Sequence, residues 1–160
     1  MQEQEYDEEF LNGKGEPLII LFIEDDPAHA EITMRNFKKN RISNKVIHLW
    51  DGQEALDYLF REGKYTDPEV SPTPHLILLD LRLPKVDGLE VLEKIRAVDK
   101  LKCIPVVILT TSDTEADISK AYNYNVNSYL VKPMDYDKFS NLIEAFGFYW
   151  VVWNKYPPCN

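Results

Sequence analysis

A chain of 160 residues with 44% hydrophobic content fits one domain with a continuous core and leaves no room for a second of useful size. The net charge of -9 and a pI near 4.8 argue against nucleic acid or an anionic membrane as partner, since polyanions attract basic patches, and favour basic proteins or a divalent cation. Cys103 and Cys159 lie far apart in no CxxC motif, which makes a structural metal site improbable and a reduced, cytoplasmic setting the expectation; no secretory signal opens the chain, and no run approaches the ~20 apolar residues of a membrane span.

Residues 1–16 are acidic and polar and read as a flexible tail before Pro17. Leu18 to Ile23 is an unbroken apolar run, as expected of a strand covered on both faces of a parallel sheet. Pro27 suits the first turn of a helix, in which Ala30, Ile32, Met34 and Phe37 form a rough stripe that fades at Asn40. Val46 to Trp50 is a second strand. Asp51 caps the next helix, with Glu54 three residues on as in a capping box, and Ala55, Leu56, Leu59 and Phe60 give its apolar face. Residues 62–74, with Gly63, Pro68, Pro72 and Pro74, break all periodicity and predict a surface loop of a length that tends to be functional or mobile.

A third strand, Leu76 to Leu79, ends at Asp80, and a loop with Pro84 and Gly88 leads to a helix carrying Leu89, Leu92, Ile95 and Val98. Pro105 to Leu109 is the fourth strand. A short helix through Ile118, Ala121 and Tyr122 precedes the fifth, Ser128 to Val131. Asp135 opens a last helix through Phe139, Leu142, Ile143 and Phe146. Five βα units predict an α/β, flavodoxin-like, doubly wound parallel sheet in the order 2-1-3-4-5.

In such a sheet, ligands bind outside the carboxyl ends of the strands. Here those ends carry Glu24-Asp25-Asp26, Asp80, Thr110-Thr111 and Lys132. Two or three acids at a strand end match the needs of Mg²⁺, which is usually held by one or two carboxylates plus phosphate; a solvated acidic helix start is the plainer alternative. Asp80, at the end of a buried strand, suits a nucleophile that forms an aspartyl phosphate, or a turn former. Thr110 and Lys132 supply a hydroxyl and a point charge for phosphoryl oxygens. Haloacid-dehalogenase-type phosphatases place an acid/base Asp two residues after their nucleophile, and Arg82 stands there instead, which disfavours rapid turnover. A flavodoxin is disfavoured by the lack of a glycine- or hydroxyl-rich loop after the first strand.

Ile23-Glu24-Asp25-Asp26, Leu79 to Pro84 with Asp87-Gly88, Leu109 to Ser112, and Tyr129 to Pro133 resemble the receiver domain of two-component response regulators. The resemblance runs from about Leu18 to Phe148. It implies a receiver domain over residues 17–153, a C-terminal tail at 154–160 and no output domain. It implies that Asp80 accepts a phosphoryl group from a sensor histidine kinase or phosphotransfer protein. It further implies that Asp25, Asp80 and the Arg82 carbonyl bind Mg²⁺, with Mn²⁺ or Ca²⁺ able to substitute, while Glu24 acts through water and Lys132 contacts the phosphate. Thr110 and Tyr129 match the switch pair, Arg82 and Ser112 flank the pocket and are expected to tune hydrolysis, and the Lys132–Pro133 bond is expected to be cis. A receiver of this kind is a phosphoacceptor rather than a turnover enzyme.

The Glu-Asp-Asp-Pro start, the long proline-containing loop, Thr-Thr-Ser and the ending Phe148 to Asn154 resemble stand-alone receivers that partner bacterial phytochrome kinases and are often homodimeric. Tyr124 to Asn127 depart from the Gly-Ala that receivers usually carry before the fifth strand, so the backbone there is expected to differ. His29, His48 and His75 show no ligand spacing. The rings from Phe146 to Tyr156 exceed one helical stripe, so part of them is expected to form a homodimer or kinase interface, with Trp150 as the residue to test. With only Asn154 to Asn160 beyond the last helix, output is expected to pass through contacts of the receiver surface itself, either controlled by phosphorylation or, in the competing reading, by binding alone.

Overall fold

The computed structural model describes residues 18–39 and 45–159; the acidic segment 1–16, Pro17 and Asn40 lie outside them. Five parallel strands, β1 (Ile19–Ile23), β2 (Lys45–Leu49), β3 (Leu76–Leu79), β4 (Val106–Thr110) and β5 (Ser128–Val131), form one sheet in the order β2-β1-β3-β4-β5. The order is the expected flavodoxin-like one. The helices are α1 (Pro27–Lys39), α2 (Gly52–Phe60), α3 (Gly88–Arg96), α4 (Glu115–Asn123) and α5 (Tyr136–Gly147).

The inner strands β1, β3 and β4 have no polar face because both of their faces are covered. Leu21, Ile23, Ile77, Leu79 and Ile108 point into one core with α2 and α3, while Ile20, Phe22, Leu76, Leu78 and Val107 point into a second with α1 and α5. Such two-sided burial produces continuous aliphatic runs in a parallel sheet. Local capping fixes where the helices begin. The carboxylates of Asp51, Asp87 and Asp135 and the Thr114 hydroxyl each accept a main-chain N–H of the following turn, satisfying donors that a helix start leaves open.

The 62–74 loop is anchored rather than loose. It contains a 3₁₀ turn at Gly63–Tyr65, Tyr65 and Ser71 are buried, and the Tyr58 hydroxyl donates to the Pro72 carbonyl at 2.7 Å. The departure before β5 also has a local explanation. Asn125 adopts φ 58°, the left-handed conformation that asparagine tolerates better than most residues, and Val126 is buried in the core.

Three expectations are corrected. No cis peptide occurs among the described residues, so Lys132–Pro133 is trans, the intrinsically favoured isomer even before proline. Cys103 and Cys159 are not separate thiols. The chain end returns beside the α3–β4 connection, brings their Cα atoms to 5.8 Å and joins them in a disulfide. Finally, α5 runs into a π-helical turn at Phe148–Trp153, which shifts the helical phase. Trp150 and Val151 are thereby buried, while Phe148, Tyr149 and Trp153 are exposed, so Trp150 belongs to the core rather than to an outer patch.

Candidate phosphoacceptor site

The three consecutive acids after β1 divide their work. Asp26 caps α1, its Oδ1 accepting from the main-chain N–H groups of Ala28 at 2.9 Å and His29 at 3.2 Å, which holds its carboxyl below the usual carboxylate range. Glu24 and Asp25 remain for the pocket. Each offers a carboxylate oxygen, and together with one from Asp80 these lie within 4.8 Å of one another. Asp26 drops out of the candidate cation set because the helix start already uses it.

Asp80 follows β3 and is buried. Its Oδ1 accepts from the Leu81 main-chain N–H at 2.7 Å, and its Oδ2 accepts from Lys132 Nζ at 2.9 Å. The loop beyond it is seated by Gly88, where a Cβ would stand 2.1 Å from the Asp80 carbonyl oxygen. The Gly88 N–H donates to the Leu81 carbonyl at 2.8 Å. Only glycine permits that approach.

Lys132 is buried at the end of β5 and its ammonium is fully engaged. It donates to Glu24 Oε2 at 2.7 Å, to Asp80 Oδ2 and to His29 Nδ1 at 3.1 Å. An ammonium has donors only, so His29 accepts through an unprotonated Nδ1. Charge is unbalanced nonetheless, with three carboxylates around one cation. Burial, and then the Asp80 carboxylate, push the Glu24 carboxyl up to about 8 against the pull of Lys132. A pocket of oxygen donors short of positive charge fits a hard divalent cation.

Thr110 is fully buried at the end of β4, and its carbonyl accepts from the Lys132 main-chain N–H at 2.7 Å. Thr110 and Lys132 are therefore fixed to each other through the backbone. Tyr129 lies partly buried on β5 with its hydroxyl donating to the Ser112 carbonyl at 2.8 Å. Arg82 and Ser112 have a partner in common. Both turn to Asp117 on α4, to whose Oδ2 Arg82 Nη2 and Ser112 Oγ donate.

Sequence reasoning overlooked Asp117 and set His29 aside. His29 is the third residue of α1, in the turn that directly follows Glu24 to Asp26, and that nearness is the signal that could have drawn it to the pocket. Asp117 is three residues after the cap Thr114, a position at which an acid reads as part of a helix start.

A family model described as the response regulator receiver domain matches residues 20–144. The chain belongs to the response regulator receiver family. This receiver is 44% identical over 143 residues to the probable methanogenesis regulatory protein FilR2 of Methanothrix harundinacea, covering 89% of each chain. It is 40% identical over 135 residues to response regulator Rcp1 of Synechocystis, covering 84% of this chain and 90% of Rcp1. Among solved structures, the Mn²⁺-bound form of Rcp1 superposes with a TM-score of 0.83 at 39% identity, over 89% of this receiver and all of that chain. The phosphorylated cyanobacterial phytochrome response regulator RcpA superposes at 0.82 and 35% identity, over 88% and 99%.

Proposed function

We propose that this receiver is a phosphorylation-controlled switch in which Asp80 accepts a phosphoryl group from the phosphohistidine of a sensor kinase or phosphotransfer protein. A carboxylate oxygen of Asp80 attacks phosphorus, the P–N bond breaks, and the imidazole leaves with the electron pair. The observation that carries this reading is the state of Asp80 itself: buried, with one oxygen pinned by the Leu81 N–H and the other on Lys132. A nucleophile so held needs little reorganisation, and positioning with charge stabilisation is most of what phosphoryl transfer asks of a protein.

Glu24, Asp25 and Asp80, with the Arg82 carbonyl, would hold Mg²⁺, with Mn²⁺ or Ca²⁺ able to take its place. The cation supplies positive charge against the phosphoryl oxygens. Lys132 contributes a further charge and Thr110 a hydroxyl, while Tyr129 is the partner through which the change at Thr110 reaches the surface. Arg82 and Ser112 set the lifetime of the phosphoryl group. Dephosphorylation is slow, so the protein is a signalling component rather than a turnover enzyme.

The kinase is of the phytochrome type in this reading, supported by the likeness to RcpA. FilR2, a probable methanogenesis regulatory protein, is nearer in sequence than RcpA, at 44% against 35% identity, so the test includes the kinase. The exposed rings of Phe148, Tyr149 and Trp153 form the face of a homodimer. Output proceeds by protein contacts in the cytoplasm, where a reducing setting would hold the Cys103–Cys159 link open, without nucleic acid or membrane, in keeping with the net charge of -9; no helix of the described residues is long and apolar enough to cross a membrane.

The test is phosphotransfer from an autophosphorylated phytochrome-type kinase, with acetyl phosphate as the kinase-independent control. Mg²⁺-dependent gain of one phosphoryl group by the wild type and none by Asp80→Asn is expected from both donors. Gain from acetyl phosphate alone would overturn the phytochrome assignment. If Asp80→Asn left partner binding unchanged and the wild type gained no phosphoryl group, binding alone would be the function.

A further inference from the structure

Asp117 lies in the first turn of α4 and is 7% exposed, although nothing in the proposed phosphoryl transfer requires it. A carboxylate taken out of water is costly unless it is paired. Its partners come from the two loops that leave the phosphoacceptor pocket. Arg82, two residues after Asp80, and Ser112, two after Thr110, both donate to Asp117 Oδ2. Ser112 is tied in turn to β5, because its carbonyl accepts the Tyr129 hydroxyl at 2.8 Å. One carboxylate oxygen thus joins the loops after β3 and β4 to α4, with the proposed relay residue one bond away.

Arg82 is the part able to move. Its side chain is 56% exposed, and a second carboxylate, Asp87 Oδ2, stands 3.7 Å from Nη1. The guanidinium is always charged and carries five donors. It lies on the loop that follows Asp80, two residues beyond it.

We propose that Asp117 is a positioning residue that holds Arg82 away from the Asp80 pocket, and that phosphorylation of Asp80 draws Arg82 off it, releasing the Ser112 turn and α4 together. This rests on Asp80 being the phosphoacceptor. A phosphoryl group carries up to two negative charges and three strong acceptor oxygens, and so competes well against a carboxylate oxygen already shared with Ser112. Once Arg82 leaves, Asp117 keeps the Ser112 hydroxyl and only the weaker attraction of Lys120. The first turn of α4 then shifts to rehydrate the carboxylate. The chemistry at Asp80 is thereby converted into a change on the α4 surface, where a protein partner would read it.

The experiment measures loss of phosphoryl label from the full chain after charging with acetyl phosphate and removing the donor. Asp117→Asn leaves Arg82 free to stay over the phosphoryl group and obstruct water, so loss is expected to slow by roughly three- to tenfold. Arg82→Ala is expected to speed it, and Asp117→Asn added to Arg82→Ala to change nothing more, which a merely structural role for Asp117 would not produce. Should Asp117→Asn not fold, Asp117→Ser carries the same comparison. Equal loss rates for the wild type and the Asp117 variant, or the same change in both Arg82 backgrounds, would overturn the proposal while leaving the phosphoacceptor reading intact. No uptake of label by the wild type would overturn both.

Discussion

Lys132 Nζ stands 2.9 Å from Asp80 Oδ2, joining the last strand to the third at the point where chemistry is expected. The same ammonium reaches Glu24 and His29, so its direction is set from three sides. Lys132→Met removes the one ammonium among the described residues that is bonded to Asp80 and Glu24. Phosphoryl uptake from acetyl phosphate is expected to fall on the order of a hundredfold, the scale for losing one preorganised charge at a reacting centre. Uptake within a factor of about two of the wild type would show that Lys132 only packs.

Glu24 makes stability depend on pH. Its folded value is about 8 against 4.5 for the free group, burial being the largest cause and the Asp80 carboxylate the next. Between those values the folded protein keeps a proton that the unfolded chain has released. Metal-free stability therefore falls as pH rises from about 5 to about 8. A cation needs the ionised carboxylates, so Mg²⁺ affinity rises over the same window. Thermal unfolding across this range with and without Mg²⁺ checks both, and a metal-free profile that is flat or rises with pH would contradict the assignment.

Gly88 seats the loop that follows Asp80. Gly88→Ala would put a methyl group 2.1 Å from the Asp80 carbonyl oxygen, forcing backbone rather than a side chain to give way. A loss of at least about 2 kcal/mol is expected, at the upper side of overpacking costs, measurable from the urea midpoint. A change below about 0.5 kcal/mol would mean that the loop shifts freely.

Much of the fold was legible because a strand buried on both faces is written as an unbroken apolar run, and its end is marked by the first polar residue. Asp80, Thr110 and Lys132 were found that way. The division of labour among Glu24, Asp25 and Asp26 was not, since it depends on where α1 begins and which acid the helix start consumes. Asp117 and His29 escaped for a related reason. Their partners Arg82 and Lys132 lie 35 and 103 residues away in sequence, and no local period encodes that meeting. The burial of Trp150 followed from a π-helical turn that breaks the 3.6-residue phase, and the disulfide from a chain return over 56 residues.

The exposed Trp153 and Tyr149 are expected to carry self-association. Trp153→Glu places a charge in the apolar face and is expected to convert a dimer to a monomer in light scattering, with the fold retained by circular dichroism. A wild type that is monomeric at high micromolar concentration would remove the homodimer.

Cys103 and Cys159 should show no reactive thiol until a reductant is added. Cutting the link frees the end of the chain, and the expected loss is about 2–4 kcal/mol for a loop of this size. Two titratable thiols in the unfolded, unreduced protein would contradict the pairing.

The central claim is that Asp80 is the group that becomes phosphorylated. The most direct measurement is borohydride reduction of protein treated with acetyl phosphate and Mg²⁺, followed by peptide mass analysis, because an acyl phosphate at Asp80 is reduced to homoserine. Homoserine at position 80, absent without Mg²⁺ or phosphodonor, is the predicted result. An unmodified Asp80, or homoserine at Asp25 or Asp26 instead, would contradict it.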